Sequence, residues 1–206
     1  MSFKKIAITG GMGCGKSTAS LAFESLGVLV LDADKLAQQA LANDVEVRKS
    51  VVSIFGESAY LPDGTPNRKA IADIVFADKQ KLISLEKILH PAVRKIWESA
   101  AEKRRKECES NPALPQAVVV EVPLLFEKEL EKHFDFCITV FCSETLRMAR
   151  LKERGMSPQE ISARDAFQLS QKKKIELADI ALFNETSCEF LNEQVAIALE
   201  FCINAK

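Results

Sequence analysis

Gly10-Gly11-Met12-Gly13-Cys14-Gly15-Lys16-Ser17 decides how the rest of this chain is read. The stretch fits G-x-x-x-x-G-K-[S/T] without exception. Before it, residues 4–9 form a short apolar run of the kind that makes a buried strand. After it, residues 16–26 place Ala19, Ala22, Phe23 and Leu26 at helical spacing. A strand entering a glycine turn and a helix leaving it is the context in which this motif carries chemistry. Glycines let the backbone curl so that successive N–H groups point at phosphate oxygens, and the helix N-terminus adds its partial positive charge. In such a loop Lys16 reaches the β- and γ-phosphates of a nucleotide, and the Ser17 hydroxyl ligates Mg²⁺. A chance glycine-rich turn explains the residues but not their context.

Working outward, residues 28–31 form a second apolar run, closed by Asp32-Ala33-Asp34, and a helical pattern follows over 35–41. Strand, helix, strand, helix at the start of a chain predicts a parallel sheet with crossover helices. Between Asn43 and Asn111 no central strand is legible. Apolar residues recur there at three and four, Asp63-Gly64-Thr65-Pro66 reads as a turn, His90-Pro91 as a break, and 98–108 as a charged helix. This stretch is expected to be a helical insertion. Strands are expected again at 117–122, 136–141 and 180–183. The last two are separated by a polar helical pair over 144–174, joined near Gly155, and an amphipathic helix over 189–203 closes the chain.

Hydrophobic residues make up 47% of the 206 and charged residues 28%, which suits a globular chain with a sizeable core and excludes wholesale disorder, collagen and coiled coil. A formal charge of −1 supplies no global field toward nucleic acid or an anionic membrane. No apolar run approaches the roughly 18 residues of a membrane span. The N-terminal apolar stretch, Ile6-Ala7-Ile8, is too short for the core of a signal peptide. The six cysteines contain no Cys-x-x-Cys pair. His133 precedes Cys137 by four, but no second pair of metal ligands accompanies it. Reduced thiols and a cytoplasmic location are expected, with no nucleic-acid or membrane partner and a monomer or weak homo-oligomer.

Asp32 and Asp34 stand at the carboxyl end of the second strand, where an open α/β sheet places its ligand crevice. Asp34 has the position of a helix N-cap. Asp32 is then the residue available to face a γ-phosphate and take the proton of an attacking hydroxyl, a role that spacing alone leaves open. The switch-GTPase marks Asp-x-x-Gly and Asn-Lys-x-Asp occur nowhere. Glu121 ends an apolar strand as a Mg²⁺-supporting acid often does. Arg147, Arg150 and Arg154 share a helix face at i, i+3 and i+7, with Arg164 further on. They read either as a solvated face paired with Glu144 and Glu153 or as an arginine-bearing segment for phosphoryl transfer. Lys172-Lys173-Lys174 is expected at the surface, and Asn67-Arg68-Lys69 and His90–Arg94 stay unassigned on physical grounds.

Taken in order along the chain, the motifs resemble the dephospho-coenzyme A kinase family nearly end to end. Thr9–Thr18 resembles its phosphate loop and Leu31-Asp32-Ala33-Asp34 its acidic motif. Asp63-Gly64, Asn67-Arg68, Val75-Phe76 and His90-Pro91-x-Val93-Arg94 resemble its acceptor-binding helices. Pro123-Leu124-Leu125-Phe126-Glu127 resembles the segment after its third strand. Arg150, Arg154, Ala163-Arg164 and Gln168 resemble its lid, and Ala178-Asp179 with Asn184 its last strand and loop.

The resemblance implies a P-loop NTPase fold of the nucleoside-monophosphate-kinase type. Its parts are a five-stranded parallel sheet flanked by helices (about 1–42, 112–143 and 176–206), a helical acceptor-binding insertion (about 43–111) and a helical lid (about 144–175). It implies transfer of the γ-phosphoryl of Mg·ATP to the ribose 3′-hydroxyl of dephospho-CoA, the last step of CoA synthesis. Asp32 would be the base or hydroxyl-orienting acid, with Lys16 and Arg150 catalytic beside it. Gly11, Met12, Gly13, Cys14, Gly15, Lys16, Ser17, Thr18, Arg154 and Asn184 would hold the nucleotide, with Ser17 on the metal. Asp32, Arg68, His90, Arg94, Pro123, Leu124 and Leu125 would meet the acceptor. Two positions depart from the family pattern. Cys14 replaces a small residue, which would make the loop oxidation-sensitive, and Glu185 follows Asn184 where a small turn residue is usual. The competing readings are another small-molecule kinase with the same loop, and a nucleotide-dependent binding module without an acceptor.

Overall fold

Strand β1 (Lys4–Gly10) lies at the centre of a five-stranded, all-parallel sheet of order β2-β3-β1-β4-β5, with β2 Leu29–Asp32, β3 Ala117–Glu121, β4 Phe136–Phe141 and β5 Ile180–Phe183. The computed structural model describes residues 2–205 of the chain. The central strands read as nearly continuous apolar runs because both of their faces are covered. Val118, Val119 and Val120 of β3 are all fully buried, as are Ile6, Ala7 and Ile8 of β1. One face of the sheet packs on α1 (Lys16–Ser25) and α9 (Cys188–Asn204). There Phe23, Leu191, Val195 and Ala198 meet Ile6, Ile8, Val119 and Ile138.

The chain divides into two compact units. The first, residues 1–32 and 101–206, holds the sheet, α1, α9 and the helices α6 (Glu144–Glu153), α7 (Pro158–Asp165) and α8 (Gln171–Leu177). The second, residues 33–100, is helical. It comprises α2 (Ala33–Asn43), α3 (Val45–Phe55), α4 (Arg68–Ala77) and most of α5 (Lys79–Ser110) around a core of its own, in which Val51, Phe55, Tyr60, Ile71 and Leu85 are buried. This unit begins and ends earlier than the insertion suggested over about 43–111.

Three local expectations change. First, α5 runs through Pro91 instead of breaking at His90-Pro91. Proline's fixed φ is itself helical, so the ring forfeits one hydrogen bond without ending a long helix. Second, the segment 144–174 is not a helical pair, because Ser170 caps a third helix, α8, by accepting from the Lys173 N–H at 3.2 Å. Third, α2 begins at Ala33, directly after β2, so Asp34 lies in the first helical turn and is not the N-cap.

Candidate active site

The loop between β1 and α1 has the backbone its glycines allow. Gly13 and Gly15 lie at φ 82° and 95°, the left-handed region that excludes most side chains. A Cβ on Gly15 would sit 1.9 Å from Nδ2 of Asn184, and one on Gly10 would sit 2.3 Å from the Val140 carbonyl oxygen. Either side chain would drive the loop out of shape. α1 starts at Gly15 without any side-chain cap and with no acidic residue in its first turn. The helices α3, α4, α6, α7, α8 and α9 each have an Asp, Asn or Ser oxygen in that place. No side chain competes at this helix start, the arrangement in which a helix N-terminus can take an anion.

Lys16 reaches back over the loop, its Nζ donating to the carbonyls of Gly10 (3.1 Å) and Gly11 (3.3 Å). Ser17 is exposed at the helix start and Thr18 is half-buried. Asn184, buried at the end of β5, donates from Nδ2 to the Cys14 carbonyl at 2.9 Å, so it braces the loop from behind.

At the same end of the sheet, the register aligns Asp32 of β2 with Glu121 of β3, and Glu121 with Ile8 of β1. Two strand spacings, about 10 Å, thus separate the Asp32 backbone from β1, which feeds the loop. The Ser20 hydroxyl of α1 donates to Glu121 at 2.9 Å and fixes that carboxylate against α1.

The loop thiol is sheltered. Cys14 is fully buried and donates to Oε1 of Gln171 at 3.0 Å, an oxygen that also accepts the Cys142 N–H at 3.1 Å. Burial pushes the Cys14 thiol up to about 12. Burial and a disfavoured thiolate, the reactive form, predict a thiol that resists oxidation despite its position in the loop. Of the six free cysteines only Cys188 is exposed. A maleimide at pH 8 is expected to modify Cys188 and leave nucleotide binding intact, as mass mapping and a binding titration of the native protein would show. Modification at Cys14 with loss of nucleotide binding would contradict this. Burial pushes Cys137 and Cys202 up to about 12 as well. A thiol whose folded pKa is raised contributes full stability below its unfolded value and loses it as pH climbs toward the folded one. The melting temperature should therefore hold to about pH 9 and fall steadily above it.

The three arginines of α6 have different fates. Arg147 is buried and tied to Glu144 and Asp165. Arg150 is half-buried and donates to the Asn184 carbonyl at 3.2 Å, beside the loop. Arg154 is the exposed C-cap of α6, and Arg164 is exposed on α7. Glu185 accepts the Ser143 N–H at 2.6 Å, which anchors the start of α6 to the end of β5 and holds the Glu185 carboxyl below its ordinary range.

In the segment after β3, the Pro123 carbonyl accepts from Thr9 Oγ1 (3.2 Å) and from Lys174 Nζ (2.8 Å). Leu124 is half-buried, but Leu125 is fully buried. The Leu125 side chain belongs to the core, so any contact it makes with an acceptor would come from its backbone. Within the second unit, Arg68 is exposed in the first turn of α4. Asn67, beside it, is the α4 cap, accepting the Ala70 N–H at 3.2 Å. His90 is half-buried in α5, and Arg94 is exposed with Glu98 at 3.8 Å.

Sequence reasoning missed Lys174. It is wholly buried rather than at the surface, with Nζ 3.0 Å from Glu127 Oε1, 2.8 Å from the Pro123 carbonyl and 3.5 Å from Thr9 Oγ1. Glu127 also accepts the Leu169 N–H at 2.7 Å. Its other oxygen, Oε2, is buried with no hydrogen-bond partner among the described residues. The signal lay in spacing. Gln171, Lys174 and Ala178 fall at i, i+3 and i+7 and so share one face, whereas Lys172 and Lys173 point away from it.

Comparison with known proteins agrees with this architecture. The family model described as dephospho-CoA kinase matches residues 4–189. A dephospho-CoA kinase of Streptomyces avermitilis is 35% identical over 192 residues, covering 93% of this chain and 90% of its own. A crystal structure from Thermus thermophilus superposes with a TM-score of 0.81 at 30% identity, over 98% of both chains. The dephospho-CoA kinase of Campylobacter jejuni gives 0.67 at 27% identity, over 96% of both. No helix among the described residues is long and apolar enough to cross a membrane.

Proposed function

The chain belongs to the dephospho-CoA kinase family, and from that premise we propose how its own residues carry the reaction. As a member it is a phosphotransferase that moves a phosphoryl group from ATP to dephospho-CoA. The group transferred is the γ-phosphoryl and its destination is the ribose 3′-hydroxyl. The setting is the cytoplasm, where the free thiols persist.

The residues present suit a Mg·nucleotide. The loop glycines leave no room for a Cβ, the Ser17 hydroxyl is exposed at an uncapped helix start, and Glu121 stands in register with Asp32. Ser17 would hold the metal, with Glu121 in support. Bound there, Mg²⁺ supplies neutralisation of phosphate charge. The backbone amides of residues 11–18 and the Lys16 ammonium bind the phosphates. Asp32 orients the 3′-hydroxyl and takes its proton as the oxygen–phosphorus bond forms and the bond to the ADP oxygen breaks. Arg150 and Arg154, on a lid of about residues 144–175, add positive charge to the equatorial oxygens and exclude water. Asn184 supports the loop on the nucleotide side. Arg68, His90 and Arg94 of the helical insertion, with Pro123 and Leu124, receive the acceptor.

The observation that carries this reading is the register that sets Asp32 and Glu121 side by side at the loop end of the sheet. Its test is the pair Ser17→Ala and Arg154→Met. Ser17→Ala should turn over poorly and recover in part as Mg²⁺ is raised. Arg154→Met should lower kcat and leave dephospho-CoA binding unchanged. A Mg²⁺ dependence identical to that of the native protein in the first, or an unchanged kcat in the second, would remove that residue from its role.

A further inference from the structure

Arg147 holds more partners than any arginine of the lid segment, and the reaction as derived does not use it. Its relative exposure is 7%. Nε and Nη2 donate to the two oxygens of Glu144 at 2.8 and 2.7 Å, and Nη1 and Nη2 donate to the two oxygens of Asp165 at 3.0 and 2.7 Å. Nη1 also donates to the carbonyl of Met12 at 3.4 Å, at the outer turn of the phosphate loop. The stem joins in, since a Cβ built on Gly13 would lie 3.2 Å from Arg147 Cγ and 3.0 Å from Leu151 Cγ. One buried side chain therefore touches the loop, its own helix α6 and the end of α7.

The consequence for the loop follows from peptide geometry. In a trans peptide the carbonyl and the next N–H point in opposite directions. Turning the Met12 carbonyl toward α6 turns the Gly13 N–H away from it. The geometry points to Arg147 as a positioning residue for nucleotide binding: its guanidinium locks the outer turn of the phosphate loop to α6 and α7, aiming the Gly13 N–H at the bound phosphates. The two carboxylates matter as much as the carbonyl. A guanidinium fork held bidentately on both sides has little freedom left, so the Met12 contact is set by Glu144 and Asp165 and not by a mobile side chain. Asp165 makes the position of α7 part of the same lock. The inference rests on the phosphate-loop reading above but not on the identity of the acceptor.

Titration of Mg·ATP alone into the native protein and its variants, by calorimetry, tests it. Arg147→Met should weaken ATP binding about tenfold, the size of coupling that contacting residues show. Arg147→Lys should lose about as much, because an ammonium keeps the charge but not the fork. Asp165→Asn should weaken ATP by a smaller factor. The double variant Arg147→Met/Asp165→Asn should bind no worse than Arg147→Met alone, since both changes open one lock. Dephospho-CoA affinity should stay within about twofold throughout. Native ATP affinity in Arg147→Lys and Asp165→Asn would overturn the proposal, even if Arg147→Met fails to fold. Equal losses for both substrates that track a falling melting temperature would overturn it as well. Failure of the native protein to bind Mg·ATP would instead bring down the phosphate-loop reading beneath it.

Discussion

Asp32→Asn is expected to lose about 10²–10⁴ in kcat while ATP binding stays within a few-fold of native, the range that loss of a positioned proton acceptor produces. Asparagine has the same shape and can still hold a hydroxyl through its carbonyl oxygen, but it cannot take the proton. The residue ends β2 in register with Glu121, so the side chain is placed by strand pairing and the substitution leaves that pairing alone. The variant should fold, bind Mg·ATP and bind dephospho-CoA. Near-native turnover would remove Asp32 from its role. Lost turnover together with lost ATP binding would mean that Asp32 serves the nucleotide side instead.

The second large effect concerns folding. Lys174→Met should destabilise the protein by about 3–5 kcal/mol, because it leaves Glu127 as an uncompensated buried charge. For a chain of this length that lowers the melting temperature by about 10 °C. The loss comes less from the attraction removed than from the carboxylate stranded, whose Oε2 already lacks a partner among the described residues. The double variant Lys174→Met/Glu127→Gln should therefore be more stable than Lys174→Met alone. Its carboxamide oxygen still accepts the Leu169 N–H that Glu127 accepts at 2.7 Å, and no charge stays buried. A double variant no more stable than the single, measured by thermal melting, would show that the packing of the Lys174 stem dominates. The location of the pair gives it weight beyond stability. Lys174 ties α8 to the Pro123 carbonyl and to Thr9, one residue before the phosphate loop.

What the sequence disclosed and what it withheld divide along physical lines. The phosphate loop was legible because its conformation is local. Glycines at left-handed angles, an uncapped helix start and a lysine six residues beyond Gly10 are all written in a short window. The strands were legible because residues buried on both faces leave unbroken apolar runs. Strands expected at 136–141 and 180–183 coincide with β4 and β5, and the others differ by a residue or two. Lys174 was not legible from composition. A run of three lysines looks solvated, and only tertiary packing shows that the third turns inward to Glu127. Arg147 was hidden in the same way. It shares a helix face with Arg150 and Arg154, yet Asp165, eighteen residues on, captures it. Pro91 misled because a proline predicts a helix boundary only when packing does not carry the helix past it. The burial of Leu125 was not legible from its motif, because a residue can share a motif with exposed neighbours and still give its side chain to the core.

The most direct measurement is ADP release from Mg·ATP with and without dephospho-CoA, with the product identified by mass. Release should depend on dephospho-CoA and be matched one for one by a product heavier than the acceptor by one phosphoryl group and identical to CoA. No stimulation by dephospho-CoA, with Mg·ATP binding intact in the same preparation, would contradict this.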